Sequence, residues 1–302
     1  MIDRLDGISL FVQVAEAGSF ALAGDRIGLS RSAVGKGIAR LEARLGTRLF
    51  HRTTRSQSLT EAGQAFYERC RRILAELEAA EADLDGGRSA PSGRLKVTAP
   101  VLVGRRCVAP VLLDLVRRHP VLRLEMSFTD RPADLVEDGF DLAVRVGPLP
   151  DVAGLAARPV GRITAAICAA PAYLERHGTP RTLEDLPGHA LLVYGRAGRL
   201  TPWRFPEPDG RLRDLAVDGP VRFDDLEAIA DAAEAGAGVT WLPCWLIADR
   251  LRDGRLVRLF PDRPGFTFDV HALWPQGRYL PSKTRAAIDA LAARLPAMLA
   301  AG

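Results

Sequence analysis

Residues 18–63 read GSFALAGDRIGLSRSAVGKGIARLEARLGTRLFHRTTRSQSLTEAG. Ser19 and Ser30 each precede an apolar periodic segment, where a serine side chain can cap the free N–H groups of a helix. We therefore predict one helix from Ser19 to about Ile27 and another over 31–45. The apolar residues of the second of these helices recur at helical spacing and form its buried stripe: Val34, Ile38, Leu41 and Leu45.

The flanking residues extend this pattern on both sides. Residues 3–17 carry apolar side chains at helical spacing, and Gly18 can end that helix. After Gly46, residues 47–60 have the pattern of two short strands around a basic tip. Three helices followed by a hairpin predict a winged helix-turn-helix domain over 1–60.

The excess positive charge of the chain is confined to this part. The protein has 41 basic and 37 acidic residues, and the first 60 residues hold nine of the basic and five of the acidic ones. The remaining 242 residues are neutral, with 32 of each sign. A basic patch on a neutral body is typical of a protein that binds a polyanion through one part, although a solvated basic face has the same composition.

Residues 61–85 form one long helical pattern. Seven apolar residues step along it by three and four, close to the spacing of a coiled-coil seam: Ala62, Phe66, Cys70, Ile73, Leu77, Ala80 and Leu84. A second copy of the chain is the favoured partner for this stripe, and packing against the chain's own domain is the alternative. We therefore predict four dimerisation residues: Phe66, Ile73, Leu77 and Leu84.

Beyond the linker-like GGRSAPSG (86–93), strand and helix patterns alternate. The strand patterns lie at 94–100, 122–128, 141–146, 163–169, 239–243 and 266–274. The helical patterns lie at 106–117, 133–138, 171–178, 225–238 and 282–299. This alternation predicts an α/β domain with a largely parallel sheet, and its two similar halves predict a hinged, two-lobed binder with the ligand in its cleft.

No pattern of catalytic or metal-binding residues is present. The cysteines form no C-x-x-C pair, so we expect reduced, mostly buried thiols at Cys70, Cys107, Cys168 and Cys244. The strings G-x-S-x-G, H-E-x-x-H and the P-loop are missing. The run 236–238 reads Gly-Ala-Gly, but it follows a helix and lacks the third glycine of a dinucleotide loop. We expect neither enzymatic activity nor a cofactor or metal.

The sequence also has no feature of a membrane or exported protein. No apolar run is long enough to cross a bilayer. The first residues, MIDRLDGISLF, lack the basic start and the apolar core of a secretory signal. We expect a cytoplasmic protein without a membrane partner.

Residues 18–63 resemble the N-terminal domain of the LysR-type transcriptional regulators. The matching positions are Gly18-Ser19-Phe20, Ala23, Gly28-Leu29-Ser30, Ser32-Ala33-Val34, Ile38, Leu41-Glu42, Leu45-Gly46, Leu49-Phe50, Arg52, Arg55, Leu59-Thr60 and Ala62-Gly63. The segments at 127–150 and 236–247 resemble the effector domain of the same family. The resemblance implies a bacterial homodimer or homotetramer that binds double-stranded operator DNA and a small-molecule effector, and it leaves contact with RNA polymerase open.

The third helix offers one face to DNA. With Val34 in the core, Ser32, Lys36 and Arg40 fall at steps of four on the opposite side, where they can reach base edges in the major groove. The resemblance assigns DNA contact to this helix and to the hairpin tip. The predicted DNA-binding residues are Arg31, Ser32, Lys36, Arg40, Arg52, Thr53 and Arg55.

Two glycines in this helix depart from the family pattern. Gly35 stands where relatives usually have serine, and Gly37 where they have alanine or threonine. Each interior glycine costs a helix roughly 1 kcal/mol relative to alanine. We expect a recognition helix that is loose in the free protein and ordered on the operator.

The resemblance also implies domain boundaries and a fold like that of the periplasmic solute-binding proteins. The DNA-binding domain is expected at 1–60, and the dimerisation helix with its linker at 61–92. The effector domain is expected at 93–302, with lobe I at 93–161 and 267–302 and lobe II at 162–266.

Ligands of such sheets bind beyond the carboxyl ends of the strands, near helix N-termini. This rule selects the predicted effector-binding residues Thr98, Ala99, Pro100, Thr129, Val146, Gly147, Phe223, Asp224 and His271. Helix N-termini and hydroxyl groups suit a carboxylate or another small anion. Each of these residues has an alternative role as a helix cap or strand end. We expect Arg105 and Arg106 to be solvated, and Trp203 and Trp241 to belong to the core or the rim.

Two alternative functions stay open at this point. One is a small-molecule binding protein without a DNA function, which would have no need of the basic first 60 residues. The other is a thiol-based redox sensor on the same scaffold, although the cysteines have no favourable spacing. The candidates for that sensor are Cys107, Cys168 and Cys244.

Overall fold

The computed structural model describes residues 7–51, 58–84, 90–131, 134–149, 154–196, 198–207, 209, 211–277 and 280–300. The chain divides into two compact units, residues 1–89 with 278–282 and residues 90–277 with 283–302. A search of the described helices finds none with the length and apolar character needed to cross a membrane.

The described residues of the first unit form four helices: α1 (Ile8–Ala17), α2 (Phe20–Ile27), α3 (Arg31–Leu45) and α4 (Glu61–Leu84). The Ser19 hydroxyl accepts a hydrogen bond from the Ala21 N–H at 3.2 Å, and the Ser30 hydroxyl accepts one from the Ala33 N–H at 3.2 Å. Each serine thus satisfies N–H groups at the start of its helix, which confirms both predicted caps.

Between α3 and α4 the backbone doubles back as the base of a wing. Phe50 and Leu59 form an antiparallel bridge, and the His51 N–H donates to the Ser58 carbonyl at 2.9 Å. The Glu42 carboxylate accepts from the N–H groups of Leu49 at 2.8 Å and Phe50 at 3.2 Å, so α3 anchors the first arm of the wing. The tip, with the predicted DNA-binding residues Arg52, Thr53 and Arg55, lies outside the described residues.

The first part of α4 packs against the core of this unit. The Phe66 ring lies 5.3 Å from the Phe11 ring, and Cys70 is fully buried in the same cluster. Phe66, a predicted dimerisation residue, is partly buried against this core because α4 begins beside α1, and its role in dimerisation stays a prediction. The apolar stripe of α4 therefore packs against the core of its own unit in its first part and is exposed in its second part.

The second unit contains twelve strands and six helices within the described residues. The strands are β1 (Gly93–Ala99), β2 (Leu122–Phe128), β3 (Leu142–Val146), β4 (Leu155–Ala169), β5 (Leu191–Arg196), β6 (Arg199–Leu200), β7 (Trp203–Pro206), β8 (Leu212–Leu215), β9 (Val221–Phe223), β10 (Val239–Pro243), β11 (Val257–Arg258) and β12 (Phe266–Pro275). The helices are α5 (Val101–Val103), α6 (Ala109–Arg118), α7 (Pro171–His177), α8 (Leu226–Glu234), α9 (Cys244–Arg252) and α10 (Ser282–Ala300). A π-helical turn, Gly104–Val108, joins α5 to α6, and a 3-10 turn, Leu183–Gly188, precedes β5.

One mixed sheet runs through this unit in the order β2-β1-β3-β12-β4-β10-β5-β6, with β9 paired to β5 and β11 to β4. Strands β1, β2 and β3 are parallel, as are β5, β9 and β10. The two long strands β4 and β12 are antiparallel to each other and to their outer neighbours. The expectation of a largely parallel sheet therefore holds within the two groups β1–β3 and β5, β9 and β10. It is wrong for the middle of the sheet, because the chain leaves along β4 and returns along β12, and for the edge strand β6, which is antiparallel to β5.

We call the part built on β1–β3, with α5, α6 and α10, lobe I. The part built on β5, β9 and β10, with α7–α9, is lobe II. Helix α10 is fixed to lobe I by Lys283, whose ammonium donates to the Arg94 carbonyl at 2.6 Å and pairs with Asp141 at 3.1 Å. This arrangement confirms the predicted α/β, two-lobed fold.

One predicted helix, at 133–138, is absent from the described residues of that segment. Residues 135–139 form a turn, in which the Asp134 carboxylate accepts from the N–H groups of Val136 and Glu137, both at 2.9 Å. The Gly139 N–H then donates to the Val136 carbonyl, and Gly139 has a φ of +65°. The side-chain cap and the left-handed glycine end the turn before a helix can extend.

Candidate functional site

Helix α3 presents a polar, exposed face. The four residues predicted on this helix to contact DNA are all exposed: Arg31, Ser32, Lys36 and Arg40. The opposite side is in the core, where Val34 is fully buried and Ile38 is 2% exposed. The described part of the predicted DNA-binding set therefore lies on one accessible surface, and its role stays a prediction.

The two glycines of α3 have different surroundings. A Cβ atom on Gly37 would lie 2.3 Å from Leu10 Cδ2, whereas one on Gly35 would lie 3.8 Å from the Phe20 ring. Gly37 thus allows α3 to pack closely against α1. Gly35 has room for a methyl group, and no close contact of the described residues requires a glycine there.

The second part of α4 carries apolar side chains on its surface. Ile73 is 44% exposed and Leu77 is 41% exposed. Leu84 ends the helix, but its side chain lies outside the described residues. Exposed aliphatic residues one turn apart are suited to packing against another helix.

A cavity of about 450 Å³ lies between the two lobes. Lobe I contributes the residues that follow its strands, namely Pro100–Val103, Thr129, Asp130 and Arg145–Pro148. Lobe II contributes, among others, Tyr194, Trp203, Asp224, Trp241 and Trp245. The central strands supply Ile163, Ala165 and Phe268. The size and the mainly apolar wall are typical of a small-molecule site.

The structure brings part of the predicted effector-binding set to this cavity. Five of the predicted residues line it: Pro100, Thr129, Val146, Gly147 and Asp224. Four are not among its lining residues: Thr98, Ala99, Phe223 and His271. Thr98 and Ala99 are fully buried within β1, and His271 lies inside the central strand β12. The positions of the strand ends predicted where the cavity lies. They did not predict which side chains line it, because that depends on the face of the strand on which each side chain lies.

The helix N-terminus that was expected to attract an anion already has a carboxylate. Asp130 accepts a hydrogen bond from the Val101 N–H at 3.1 Å, at the first residue of α5. This contact takes up an N–H group that an anionic ligand would otherwise use. One N–H group of this helix start is thus taken, and an anion site there stays a prediction. A side chain supplies a further positive group of the cavity.

Arg145 is that positive group, and the sequence analysis missed it. Its Nη1 donates to the Val144 carbonyl at 2.9 Å, while its buried Nη2 has no hydrogen-bond partner among the described residues. Burial lowers the pKa of the Arg145 guanidinium, and the negative charge of Asp130 partly offsets this. A charged residue inside the otherwise apolar run LAVRV (142–146) is the signal by which the sequence could have pointed to it.

An aromatic wall faces the same space. The Trp241 ring lies 5.5 Å from the Phe268 ring and 6.2 Å from the Phe205 ring. The indole N–H groups of Trp241 and Trp245 are buried and have no partner within the described part of the chain. Trp203, which also lines the cavity, is 2% exposed and belongs to the core of lobe II, as expected.

Two contacts join the lobes beside the cavity. The Arg106 guanidinium, on the π-helical turn of lobe I, pairs with the Glu227 carboxylate of α8 at 2.7 Å. Leu102, one turn earlier, packs against the lobe II cluster that includes Ile229 and Leu246. Arg106 was expected to be solvated; its side chain is 55% exposed, but it is ion-paired.

The four cysteines are buried and free. Burial raises the pKa of Cys70 and Cys107 to about 11 and that of Cys168 to about 12, and it also raises the pKa of Cys244. A protonated, buried thiol is a poor nucleophile. No group of three or more potential metal-ligating side chains is found in the described ranges.

Comparison with known proteins gives a consistent result for both units. Residues 5–64 match the model of the bacterial regulatory helix-turn-helix proteins of the lysR family, and residues 88–296 match that of the LysR substrate binding domain. The chain is 33% identical over 282 residues to an uncharacterized HTH-type transcriptional regulator of Haemophilus influenzae, covering 93% of this chain and 97% of that protein.

Two solved structures extend this likeness to the fold. CrgA, a LysR-type transcriptional regulator from Neisseria meningitidis, is 30% identical with a TM-score of 0.60, over 95% of this chain and 97% of that one. The Vibrio cholerae virulence activator AphB is 29% identical with a TM-score of 0.58, over 96% of this chain and 98% of that one.

Proposed function

The chain belongs to the LysR family of transcriptional regulators, and on that premise we propose how it works. It reads operator DNA through the exposed face of α3, as a dimer or a dimer of dimers held through α4. It responds to a small anionic effector bound in the cavity between its lobes.

The observation that carries the DNA-binding half of this proposal is the exposed face of α3. Its side chains, Ser32, Lys36 and Arg40, are one turn apart and stand opposite a core of fully or almost fully buried residues. A helix that is capped, packed on one side and basic on the other fits the major groove. The base of the wing follows α3 directly, and we propose that the residues between its two arms contact the DNA backbone.

The anionic character of the effector is supported by Arg145. Its unpaired, buried nitrogen belongs to a residue that lines the cavity between the lobes. A buried guanidinium nitrogen without a hydrogen-bond partner is costly, so an anion that accepts from it would stabilise the charged form of Arg145. The buried thiols with their raised pKa favour effector control over redox control.

The two lobes supply the mechanism of response. An effector that contacts both walls favours the closed arrangement, and its binding free energy sets how far the equilibrium shifts. Because α4 links the lobes to the reading helices, a change in lobe arrangement alters the spacing of two half-sites read by a dimer.

The test is fluorescence anisotropy of the purified chain on the duplex upstream of its own gene, beside a scrambled duplex, over a salt series. We expect selective binding whose affinity falls steeply with salt, because each phosphate contact releases counterions. Equal affinity for both duplexes, or no binding at low salt, would contradict a sequence-specific regulator.

Changing Lys36 to alanine tests the orientation of α3. If Lys36 reaches a base edge, the loss should be about 1–3 kcal/mol on the native duplex and smaller on the scrambled one. Arg211→Ala, which removes an exposed charge in lobe II, is the matched control and should bind like the wild type. A Lys36→Ala protein with unchanged affinity would show that another face of the helix meets DNA.

A further inference from the structure

The cavity between the lobes carries enough chemistry to name a class of effector. Resting on the function proposed above, we propose that the effector is an aromatic monocarboxylate, with its carboxylate on Arg145 and its ring against Trp241 and Phe268.

The first step concerns which charges in the cavity are available. Arg204 also lines it, but its guanidinium is held by Asp214 through contacts of 2.8 and 3.3 Å. Arg145 makes one hydrogen bond to a neighbouring carbonyl, and among the described residues its Nη2 has no partner. Of the two arginines that line the cavity, Arg145 is therefore the one with a donor free for a ligand. A carboxylate is the natural partner of such a group, since it accepts charge-assisted hydrogen bonds from a guanidinium.

The second step concerns the body of the ligand. Trp241 and Phe268 stand together on the cavity wall, 5.5 Å apart and tilted by 53°. Aliphatic side chains complete this wall, among them Ile163 and Leu226. Planar rings pack on such surfaces with favourable edge and face contacts beyond the burial of area alone. The cavity of about 450 Å³ has room for one or two fused rings.

The third step concerns the net charge of the ligand and a polar substituent on its ring. Three carboxylates also line the cavity, those of Asp130, Asp224 and Asp225. Asp130 already offsets part of the Arg145 charge, so the cavity has little positive charge to balance a second carboxylate, and a dicarboxylate is disfavoured. The two buried, unpaired indole N–H groups of Trp241 and Trp245 suit a neutral acceptor such as a hydroxyl or carbonyl oxygen on the ring.

The experiment is isothermal titration calorimetry of the full-length protein with four probes: 1-naphthoate, cinnamate and their neutral amides, 1-naphthamide and cinnamamide. We expect each carboxylate to bind at least tenfold more tightly than its amide, since only the carboxylate forms an ion pair with the guanidinium. Cyclohexanecarboxylate should bind more weakly than the aromatic acids, and naphthalene-1,4-dicarboxylate more weakly than 1-naphthoate.

The variants assign the contact to Arg145. Arg145→Gln should lose tenfold or more in affinity for 1-naphthoate and little for 1-naphthamide, and Arg145→Lys should recover part of the loss. Arg211→Gln, at an exposed site away from the cavity, is the control and should bind like the wild type. A thermal melt by circular dichroism checks that each variant is folded, and the comparison of acid with amide on the wild type needs no variant.

Three results would overturn the inference: amides that bind as well as acids, no saturable binding of either aromatic acid up to 10 mM, or unchanged affinity in folded Arg145→Gln. Anisotropy on the upstream duplex without any probe separates this inference from the proposed function. A protein that binds the operator but none of these acids has a different effector, whereas one that binds acids but no operator contradicts the regulator.

Discussion

Gly24 and Gly35 lie inside neighbouring helices, yet an added methyl group would meet different surroundings at the two positions. At Gly35 it would make an ordinary contact with Phe20, at 3.8 Å. At Gly24 it would lie 2.4 Å from the backbone carbonyl oxygen of Leu29, in the turn between α2 and α3. The same substitution should therefore have opposite effects.

We expect Gly35→Ala to stabilise the first unit by about 1 kcal/mol, because alanine loses less conformational entropy in a helix. Gly24→Ala should destabilise it by about 1–3 kcal/mol, because the backbone of the turn has to move. Thermal unfolding followed by circular dichroism on the full chain measures both. A lower melting temperature for Gly35→Ala would contradict the prediction, since it would show that a methyl group at this position is not accommodated beside Phe20.

Residues whose role follows from local chemistry were predictable. Ser19 and Ser30 cap their helices as predicted, because capping depends on a short segment of the chain alone. Arg145 was missed, because its importance comes from burial and from the absence of a partner in the described fold. The packing of Phe66 against its own domain was not foreseen, because the same helical spacing fits a seam between chains and a core within one chain.

At the scale of elements, α4 has two parts with different surroundings. Its first part packs on the helix-turn-helix core, and its second part exposes Ile73 and Leu77. Exposed aliphatic side chains on a long helix favour association with a second copy, since burial of this surface is worth roughly 25 cal/mol per Å². The proposed dimer therefore depends on the second part.

Changing Ile73 and Leu77 together to glutamate should give a monomer of 32.7 kDa in light scattering. Its affinity for the upstream duplex should fall strongly, because each half-site is then bound alone. Leu212→Glu replaces a similarly exposed aliphatic residue of lobe II and should leave the oligomer intact. A stable dimer of the double variant would place the interface elsewhere.

The Arg106–Glu227 pair makes a testable link between the π-helical turn and α8. It is partly exposed, so we expect a coupling free energy of about 0.2–1 kcal/mol, weakened by salt. A double-mutant cycle of Arg106→Gln and Glu227→Gln measures this coupling free energy by urea unfolding. Unfolding is followed by the fluorescence of the four Trp residues, all of which lie in the second unit. Zero coupling would indicate lobes that are apart in solution.

Element types were mostly predictable, and their lengths were not. The strand pattern at 163–169 proved to be the last half of β4, which begins at Leu155. Its first half includes Arg158 and Arg162, which pair with Asp289 and Asp269 on the protein surface. Charged residues broke the apolar pattern there, since one face of this part of the strand is exposed.

At the scale of the whole molecule, all four thiols should be inert in the folded protein. With the pKa of Cys70 and Cys107 raised to about 11, only about one thiol in a thousand is ionised at pH 8 at these positions. A thiol titration at pH 8 should find no rapidly reacting group in the native chain and four in guanidinium. A fast-reacting native thiol would return redox control to consideration.

The overall plan was predictable because both units have regular patterns, but the sheet order was not. Strand patterns give no direction, so the antiparallel β4 and β12 at the centre could not be deduced from them. The rule that ligands bind beyond the carboxyl ends of strands predicted the edge of the sheet at which the cavity lies. Its aromatic wall was missed, because Trp241 and Phe268 come together only through the pairing of β4 with β10 and β12.

The return of the chain along β12 has a consequence for synthesis on the ribosome. Strand β3 ends at Val146 and acquires its neighbour β12, which begins at Phe266, only after lobe II has been translated. At about 5–20 residues per second this leaves β3 with an open edge for roughly ten seconds. The DNA-binding helices are thus synthesised well before the effector-binding unit is complete, and the open edge of β3 is where we expect lobe I to be most prone to wrong strand pairing in the nascent chain.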